Sequence, residues 1–419
     1  MASARPAAQV NPAPLDERLR AARALSLELA APLSPEDCQV QSMPDASPVK
    51  WHLAHTTWFF ETFVLEPHLP GYRAFRPQFR QLFNSYYHSV SEQYPRPRRG
   101  LLTRPSLDEV RAWRVHVDEG LARLWACDPP DEVRALLELG LSHEQQHQEL
   151  LLTDIKHAFA VNPLRPAYGA AAPRAVGEAP AAGWSRQAGG VVEIGHAGAG
   201  FCFDNETPRH AVLLRPFELA TRPVTNGEYR DFVRDGGYRS PQWWLSDGWA
   251  TLQAEGWSRP LYWSDDGARV FTLAGEQALP ADEPVSHLSY YEADAFARWA
   301  GARLPREAEW EAVAAGLPVE GNFLDLARLH PLPAAATPGV RQMFGDVWEW
   351  TQSAYQGYPG YRAPRGAVGE YNGKFMCNQL VLRGGSCATP PGHARASYRN
   401  FFAPAARWQF AGVRLARDA

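Results

Sequence analysis

The histidine pair His143 and His147 lies in the segment LSHEQQHQELLLTDIKH, residues 141–157. Four residues apart on a helix, two imidazole rings lie on one face about one turn apart, a spacing that lets both bind a single metal ion. The letters also fit H-E-x-x-H, the helical zinc signature of metalloproteases. The pair therefore predicts a metal site, whose chemistry could be proteolysis or something else.

A zinc protease needs a third ligand, which the extended signature places downstream as H-E-x-x-H-x-x-G-x-x-H. Here Leu150 occupies the glycine position and Thr153 occupies the final histidine position, so the extended signature fails. His157 cannot complete the site either. It lies roughly 15 Å from His147 along a continuous helix, because each residue adds about 1.5 Å. The sequence therefore argues against a protease.

The better source of a third ligand is the upstream segment WHLAHTTWFFE, which carries His52 and His55. Spacing alone does not choose between these two histidines. Three neutral imidazoles without a carboxylate suit zinc, copper, iron or nickel. An octahedral iron would keep three positions for substrates and dioxygen, whereas a zinc ion would keep one for water. The histidines alone do not decide between these metals.

The elements that must position these histidines are predicted in the first 160 residues, where four segments carry apolar residues at helical spacing. The third segment opens with a capping box, Ser106 with Glu109. Four such helices predict a bundle, a fold that builds metal sites from inward-facing side chains. Residues 81–105 form a long aromatic loop, and loops of that length are usually functional or disordered.

The second half of the chain has a different composition. Residues 163–190 are rich in Ala, Pro and Gly and are expected to form a linker. Short strands, turns and tryptophans follow, with helices expected near 227–235 and 289–315. The chain is therefore predicted to be α+β, with a helical domain at 1–162 and a second domain at 191–419. A length of 419 residues suits two domains.

Composition narrows the classes of function. With 45% hydrophobic and 21% charged residues, the chain is typical of a soluble globular protein. A formal net charge of -4 without a basic stripe gives no support to a nucleic-acid partner. The N-terminus lacks the apolar core of a signal peptide, and no apolar run predicts a membrane span. Five scattered cysteines fit a reducing compartment, so we expect a cytoplasmic protein.

Several motifs resemble one known family. DASPVKWHLAHTTWFFE, FNSYYHSVSEQYPRPRRGLL and HEQQHQEL resemble the metal-binding half of the ergothioneine-biosynthesis sulfoxide synthases. FDNETPRHAV, GDVWEWT, VLRGGS and YRNFF resemble their second half. The resemblance covers nearly the whole chain in the right order. It implies a DinB-like four-helix bundle, followed by a domain that is similar to formylglycine-generating enzyme and, more distantly, to C-type lectins.

The resemblance implies one Fe(II) ion bound by His55, His143 and His147, with His52 as a structural neighbour. The implied reaction joins a thiol sulfur to the imidazole ring of hercynine, the trimethyl betaine of histidine. O2 is the oxidant and a sulfoxide is the product, so the partners are small molecules. The related selenoneine synthases join hercynine to a selenosugar through a C–Se bond. The sequence does not distinguish a sugar donor from an amino-acid donor.

The same resemblance implies roles for polar groups near the metal. Gln146 matches a glutamine that contacts the substrate imidazole. Tyr86 and Tyr87 match the branch of the family that carries its catalytic tyrosine in the aromatic loop. A phenol, with a pKa of about 10, can donate a proton during the reaction with O2. Another branch carries this tyrosine in the second domain, where Tyr371 is the nearest candidate. The NSYY sequence favours Tyr86 and Tyr87 as the catalytic pair over Tyr371.

The substrate pocket is implied to involve residues of both domains. Asn400, Phe401 and Phe402 match a stretch that lines the hercynine pocket, where aromatic faces suit a trimethylammonium group. The branch that uses γ-glutamylcysteine has Trp-Asp after this Asn. The Phe-Phe pair of this chain therefore favours cysteine over γ-glutamylcysteine as the donor.

Two charged residues match positions that bind the amino acid in the cysteine-using branch. Asp45 corresponds to the position that binds the ammonium group. Arg96 corresponds to the position that binds the carboxylate, which an arginine can contact through two hydrogen bonds. Arg98 and Arg99 of the same segment are expected to be solvated.

Three competing functions remain to be weighed against this one. A formylglycine-generating enzyme needs two reactive cysteines after its GGS turn, whereas only Cys387 follows the turn here. A zinc-dependent thiol transferase of the DinB type would explain the histidines but not the second domain. A lectin-like binding module would explain the second domain alone. The identity of the bound metal separates these functions.

Overall fold

The computed structural model describes residues 13–170, 177–325 and 327–419. Two sequence-based expectations fall partly outside these ranges. They are the N-terminal segment without a signal peptide, and residues 171–176 of the expected linker. Within the described ranges the chain is α+β, as predicted, with long helices before residue 162 and short strands mixed with shorter helices after it.

Four long helices form the first half, and each of the four predicted helical segments is confirmed. They are α1 (Leu15–Ala30), α2 (Val49–Phe60), α3 (Leu107–Ala126) and α4 (Asp131–Val161). A π-helical stretch (Glu61–Leu65) and short helical turns (Glu66–His68 and Phe79–Leu82) follow α2. The predicted capping box opens α3, where the Glu109 N–H donates to Ser106 Oγ at 3.2 Å. Within the described residues we find no helix with both the length and the apolar character of a membrane span.

α2 is the central helix of the bundle. All twelve of its residues are buried, and it packs against α1, α3 and α4. Its sequence, VKWHLAHTTWFF, is apolar on nearly every side, and such a helix has to be enclosed by its neighbours. The polar side chains of His52 and His55 are therefore held inside the bundle, where each ring nitrogen needs a partner.

α4 approaches α2 closely at Gly140, one turn before His143. A Cβ atom at position 140 would lie 2.4 Å from Phe60 Cε1 and 3.0 Å from Phe59 Cε1. Non-bonded carbon atoms prefer separations of about 3.5–4.0 Å, so a side chain at this position would push the helices apart. The glycine is therefore what allows α4 to bring His143 close to His55.

The second half contains eleven short strands within the described residues, namely β1 Trp184–Gln187, β2 Gly190–Ile194, β3 His210–Leu214, β4 Phe217–Ala220, β5 Arg269–Thr272, β6 Gly275–Ala278, β7 Trp348–Ala354, β8 Leu380–Arg383, β9 Asn400–Phe402, β10 Ala411–Gly412 and β11 Ala416–Asp418. A mixed sheet has the order β10-β7-β8-β9, with β10 parallel to β7, and a three-stranded antiparallel sheet has the order β1-β4-β11. Two hairpins, β2–β3 and β5–β6, complete the strands.

Four helices lie among these strands, namely α5 (Asn226–Arg234), α6 (Ser246–Glu255), α7 (Tyr290–Trp299) and α8 (Glu307–Ala314). The segment 289–315 forms two helices, because the chain turns at Gly301, whose φ of +65° favours glycine. α6 was not predicted. β1 lies inside the segment expected to be a linker, and the domain limits at 162 and 191 stay a prediction.

The second half packs on α4 through buried polar side chains. The Glu149 carboxylate accepts hydrogen bonds from Trp348 Nε1 at 2.8 Å, from Thr389 Oγ1 at 2.7 Å and from the Ser386 hydroxyl. A buried polar group costs free energy unless it has a partner, so these contacts restrict how the two halves can dock. Further pairs of this kind are Gln145 with His393, Gln146 with Tyr371 and Tyr398, Asp154 with Trp408, and Lys156 with His287.

Gly140→Ala should destabilise the bundle although alanine is the better helix former. Overpacking costs about 1–3 kcal/mol, against a gain of about 1 kcal/mol from helix propensity. We expect the free energy of unfolding in urea to fall by up to about 2 kcal/mol, as the difference between these two effects. Ala135→Gly, at an exposed position of α4, measures the propensity effect alone. A Gly140→Ala protein that gains the stability that Ala135→Gly loses would contradict the close approach.

Candidate metal centre and substrate pocket

Three histidines converge inside the bundle. His55 comes from α2, and His143 and His147 come from successive turns of α4. One ring nitrogen of each histidine lies within 4.8 Å of the other two. The ring centroids of His143 and His147 are 4.6 Å apart, and each lies 4.9 Å from the centroid of His55. We call these three residues the triad. Its geometry suits one metal ion shared by three imidazoles.

The hydrogen bonds of the triad leave several buried ring nitrogens without a protein partner among the described residues. His55 Nδ1 lies 2.7 Å from the carbonyl oxygen of Phe83, and since a carbonyl only accepts, Nδ1 carries the hydrogen. His55 Nε2 is then a buried lone pair without a partner among the described residues, and both nitrogens of His143 also lack one there. Buried polar atoms normally have partners. A cation would supply the missing one, so these residues fit a metal ion.

Burial keeps the triad neutral. It lowers the pKa of His143 to about 3. Burial, followed by the neighbouring His143 ring, also lowers the pKa of His55 and that of His147 well below the usual value. Only the unprotonated nitrogen of an imidazole can bind a metal, so all three side chains are ready to act as ligands at neutral pH.

His52, the alternative ligand of the sequence analysis, lies beside the triad. Its Nδ1 is 2.8 Å from His147 Nδ1, and its Nε2 is 3.0 Å from the Asp154 carboxylate. Both ring nitrogens therefore have protein partners. The structure brings His55 into the triad and places His52 in contact with it.

Glu144, the glutamate of the H-E-x-x-H letters, faces away from the triad. Its carboxylate is fully buried and accepts hydrogen bonds from Arg114 at 2.6 Å, Ser26 at 2.7 Å and Arg23 at 3.0 Å. Burial alone would raise the pKa of Glu144, but Arg114 and Arg23 outweigh it and hold the pKa at about 2. A carboxylate held by two guanidinium groups is not free to act as the general base of a metalloprotease, which agrees with the failed signature.

Gln146 lies between two phenols of the second half. Its Nε2 donates to the Tyr398 hydroxyl at 2.7 Å, and its Oε1 accepts a hydrogen bond from the Tyr371 hydroxyl. The ring of Tyr371 also lies edge-on against His143, with centroids 5.6 Å apart. Tyr398 was missed in the sequence analysis. It is the first residue of the YRNFF stretch, so the motif that indicated Asn400, Phe401 and Phe402 could have indicated it too.

Tyr86 and Tyr87 lie next to these phenols. Their rings stack with centroids 4.5 Å apart, and Tyr86 lies edge-on against Tyr371 at 6.3 Å. The hydroxyls of the pair are 3.4 Å apart. Burial raises the pKa of all three phenols, so each keeps its proton at neutral pH. The structure thus brings both sequence-based candidates for a proton donor, the loop pair and Tyr371, into one cluster.

Two charged residues of the second half join the loops that carry these tyrosines. The Glu370 carboxylate accepts hydrogen bonds from the backbone N–H groups of His88 at 2.9 Å and Ser89 at 3.0 Å. Lys374 donates to the carbonyl oxygen of Tyr86 and to Glu370. These bonds connect the loop containing Tyr371 with the aromatic loop of the first half.

The YRNFF stretch lies partly in β9, close to this cluster. Phe401 stacks on Tyr355 with centroids 3.9 Å apart, and Phe402 lies edge-on against Trp408 at 5.7 Å. The side chain of Asn400 accepts a hydrogen bond from the Phe401 N–H at 2.9 Å. All three residues of β9 are partly buried.

The structure corrects one expectation about the arginines. Arg96 is exposed and donates to the backbone carbonyl oxygen of Asp45, which is itself exposed. Arg99, expected to be solvated, is only 3% exposed. It donates to Ser47 and Ser85 at 2.9 Å, and its guanidinium lies 3.4 Å from the ring centroid of Trp51.

The surroundings of Arg99 explain why the expectation failed. Trp51 stacks on His55 with centroids 4.5 Å apart, so Arg99 lies on the far side of an indole that contacts the triad. No carboxylate within the described ranges forms a salt bridge with Arg99, and its Nε has no partner there. The segment RPRRG carries three arginines, and nothing in its composition shows which one turns inward.

Comparisons with known proteins define the class of the chain. Residues 18–151 match the DinB superfamily, and residues 172–332 and 326–419 match the Sulfatase-modifying factor enzyme 1-like domain. A hercynine oxygenase of Mycolicibacterium smegmatis is 35% identical over 409 residues, which cover 90% of this chain and 92% of the relative. A hercynine oxygenase of Mycobacterium tuberculosis is 35% identical over 434 residues, which cover 97% and 99%.

The chain therefore belongs to the family of the hercynine oxygenases, the ergothioneine-biosynthesis sulfoxide synthases, and is an oxidoreductase. A formylglycine-generating enzyme of Streptomyces coelicolor is 28% identical over 263 residues, which cover 49% of this chain. Cys387, the single cysteine after the GGS turn, is only 1% exposed, and burial raises its pKa. This placement suits a small buried apolar residue better than a reactive thiol.

Glu144→Gln should change the pH dependence of stability. In the folded protein the pKa of Glu144 is about 2, below the value of about 4.3 in an unfolded chain. Its carboxylate therefore stabilises the fold above about pH 4.3, and this contribution is lost as the pH falls towards the folded pKa. We expect the variant to lose about 3–5 kcal/mol at pH 7, because two buried arginines lose their partner.

The measurement is urea unfolding of both proteins at pH 7, 5 and 3. The difference in the free energy of unfolding between wild type and Glu144→Gln should be smaller at pH 3 than at pH 7. Glu138→Gln, which removes a more exposed partner of Arg18 on the same helix, should cost less than about 1 kcal/mol. A difference between wild type and Glu144→Gln that stays constant over this pH range would show that the charge of Glu144 is not the cause.

Proposed function

We propose that this protein is an Fe(II)- and O2-dependent synthase that joins a sulfur donor to the imidazole carbon of hercynine. The name of the full-length relatives, hercynine oxygenase, supports this substrate. An ergothioneine biosynthesis protein 1 of Schizosaccharomyces pombe is also 28% identical over 233 residues. The observation that carries the proposal is the buried triad, whose unpartnered nitrogens lie beside Gln146 and the phenols.

The proposed reaction balances in atoms and electrons. The imidazole C–H and the donor S–H each lose hydrogen, and a C–S bond forms between carbon and sulfur. One oxygen atom of O2 becomes the sulfoxide oxygen, and the other leaves as water. When bound, Fe(II) would bring the donor sulfur and O2 together and mediate the transfer of electrons.

Gln146 is suited to hold the hercynine ring. Its Oε1 is occupied by Tyr371, and one hydrogen of its Nε2 is given to Tyr398. The second Nε2 hydrogen remains to donate to an imidazole nitrogen of the substrate. Because both neighbours come from the second half of the chain, the orientation of this amide depends on the contact between the two halves.

The trimethylammonium group of hercynine needs a different environment. It has charge but no N–H donor, so aromatic faces and polar oxygens recognise it. Phe401, Phe402 and Asn400 supply such groups, and Phe401 is rigidly stacked on Tyr355. We propose that these residues line the pocket for the betaine end of the substrate.

The donor would carry its own carboxylate to Arg99. A buried guanidinium without a carboxylate partner is costly unless a ligand supplies one. Arg99 lies next to Trp51, which stacks on His55, so an anion bound there would lie close to the triad. Asp45 at the exposed rim would hold the ammonium group of cysteine, and Arg96, which donates to the carbonyl oxygen of Asp45, would be a second guanidinium for the carboxylate.

The alternative within the family is a selenosugar donor, which would make the protein a selenoneine synthase. The Phe-Phe pair that follows Asn400 argues against γ-glutamylcysteine, because it places apolar rings where that branch has Trp-Asp, and it does not distinguish cysteine from a selenosugar. The triad and the hercynine pocket would be the same for both donors.

A phenol is the proposed proton donor. Tyr86 and Tyr87 lie in the aromatic loop of the metal-binding half, while Tyr371 contacts His143 directly. Because Tyr371 contacts the triad, we favour Tyr371 as the proton donor. Tyr86 is the second candidate, because its ring lies against that of Tyr371. A buried phenol with a raised pKa keeps its proton until a strong base forms beside it.

The first test is metal content and product. Anaerobically loaded protein should bind one Fe(II) and, with hercynine, a donor and O2, give a product of the mass expected for the coupled sulfoxide. Cysteine, γ-glutamylcysteine and a selenosugar should be compared as donors by mass spectrometry. His147→Ala should lose both iron and turnover, because two ligands hold the metal poorly.

His157→Ala is the matched control, since His157 lies on α4 but bonds Ser42 and not the triad. It should keep both iron and activity. Zinc bound in place of iron would favour the thiol transferase, and absence of any bound metal in the wild type would favour a binding module. Full iron occupancy in His147→Ala would refute the triad as the metal site.

The second test concerns the phenols. Replacement of the proton donor by Phe keeps the ring but removes the proton, so iron and hercynine should still bind. General acid catalysis typically contributes about 10²–10⁴-fold, and coupling should slow by that order. The thiol donor should instead be oxidised without coupling, which raises the fraction of sulfinic acid by-product.

We expect this change in Tyr371→Phe and a smaller one in Tyr86→Phe. Tyr87→Phe serves as the comparison, because the Tyr87 hydroxyl contacts the Tyr86 hydroxyl at 3.4 Å. Mass spectrometry of the products gives the ratio of coupled product to oxidised donor for each variant. An unchanged ratio in all three variants would remove the phenols from the proposal.

A further inference from the structure

A continuous set of hydrogen bonds runs from the second half of the chain to the triad. Trp408 Nε1 donates to Asp154 Oδ1 at 3.0 Å. Asp154 Oδ2 lies 3.0 Å from His52 Nε2 and also accepts from the Ser47 N–H at 2.8 Å. His52 Nδ1 lies 2.8 Å from His147 Nδ1. We call the path Trp408–Asp154–His52–His147 the relay.

The chemistry of the groups sets the position of each hydrogen in the relay. An ionised carboxylate only accepts, so His52 Nε2 carries a hydrogen and donates it to Asp154. A neutral His52 then has a lone pair on Nδ1, which accepts from His147 Nδ1. His147 therefore carries its hydrogen on Nδ1, and its Nε2 is the nitrogen left for a metal.

The reverse arrangement would disable the ligand. If His52 donated through Nδ1, His147 Nδ1 would have to accept, and the hydrogen of His147 would move to Nε2. An N–H group cannot bind a metal. A neutral His52 ring has a single hydrogen, and while this hydrogen is donated to Asp154 from Nε2, none is left on Nδ1 to donate to His147.

Trp408 and Ser47 explain why the carboxylate stays in place. Asp154 is 5% exposed and Trp408 is 8% exposed, so solvent competes little for these bonds. Three donors approach the two oxygens of Asp154 from different sides, and together they fix its rotation. Trp408 is the donor that comes from the second half, and Phe402 lies edge-on against its indole.

We propose that Trp408 is a positioning residue for the metal ligand His147 and acts through Asp154 and His52. The proposal rests on the proposed function in one respect, since it takes His147 as a ligand of the metal. Its consequence is that the second half of the chain controls the affinity of the triad without contributing a ligand. Outer hydrogen-bond partners of histidine ligands typically change metal affinity by about 10–100-fold.

The first measurement is the tautomer of the histidines in the metal-free protein. Nitrogen NMR of protein labelled with ¹⁵N-histidine distinguishes a protonated from an unprotonated ring nitrogen, with signals assigned by single His→Asn variants. We expect His147 to be protonated at Nδ1, and His52 at Nε2. A hydrogen on His147 Nε2 in the wild type would overturn the proposal without any need for a variant that folds.

The second measurement is a double-mutant cycle on Fe(II) affinity, determined by anaerobic titration of the metal alone. Trp408→Phe keeps a ring but removes the N–H, and should weaken binding about 10-fold. His52→Leu removes the acceptor for His147 and should weaken binding by up to about 100-fold. His52→Asn places an amide oxygen near the position of Nδ1 and should restore most of the affinity.

The double variant His52→Leu with Trp408→Phe decides whether Trp408 acts through the relay. If it does, Trp408→Phe should not weaken Fe(II) binding further in a protein that lacks His52. The double variant should then have the same Fe(II) affinity as His52→Leu. Losses that multiply would show that the indole acts only by packing. The matched control is Trp299→Phe, which removes a similar bond, from Trp299 Nε1 to Asp235 at 2.7 Å, that has no connection to the triad.

The two proposals fail in different ways. A wild-type protein that binds no Fe(II) would contradict the proposed function. The tautomer measurement on the metal-free protein would still support or contradict the relay. A wild type that binds Fe(II) through the triad, with an unchanged affinity in His52→Leu and Trp408→Phe, would contradict the relay and leave the proposed function intact.

Discussion

The polar side chains that α4 turns towards the second half are the constraint on which the rest of the structure depends. Glu149, Gln145, Gln146 and Asp154 lie in a region that solvent reaches poorly, and each has partners in the second half. Burial without these partners would cost about 1–3 kcal/mol for each group. The same helix carries two histidines of the triad, so one helix connects the metal site with the surface on which the second half docks.

The sequence predicted the features of the fold that follow from local rules. The four helices and the Ser106 capping box follow from apolar spacing and from the preference of a helix start for a serine hydroxyl. The division of 289–315 into two helices, and α6, were not predicted. A short helix of mixed composition is stabilised mostly by contacts with distant parts of the chain, which spacing alone does not reveal.

In the candidate site, too, the sequence predicted what depends on local spacing and missed what depends on contacts between distant segments. The spacing of His143 and His147 predicted that the two rings share a face, and the resemblance selected His55 from two upstream histidines. The burial of Arg99 depends on how the aromatic loop folds back on Ser47 and Trp51. The position of Tyr398 depends on how segments 252 residues apart meet. The letters H-E-x-x-H were also insufficient, because Arg23 and Arg114 determine what Glu144 can do, and neither lies near it in sequence.

The separation in sequence between Asp154 and Trp408, 254 residues, has a consequence for biosynthesis of the protein. A ribosome makes the helical bundle first, and domains generally begin to fold in the order of their synthesis. The bundle then contains all three histidines of the triad before the synthesis of Trp408, the indole proposed to position His147. Metal captured at that stage would bind more weakly than metal bound by the finished chain. If the relay acts as proposed, firm metal binding would wait until the second half of the chain has docked on the bundle.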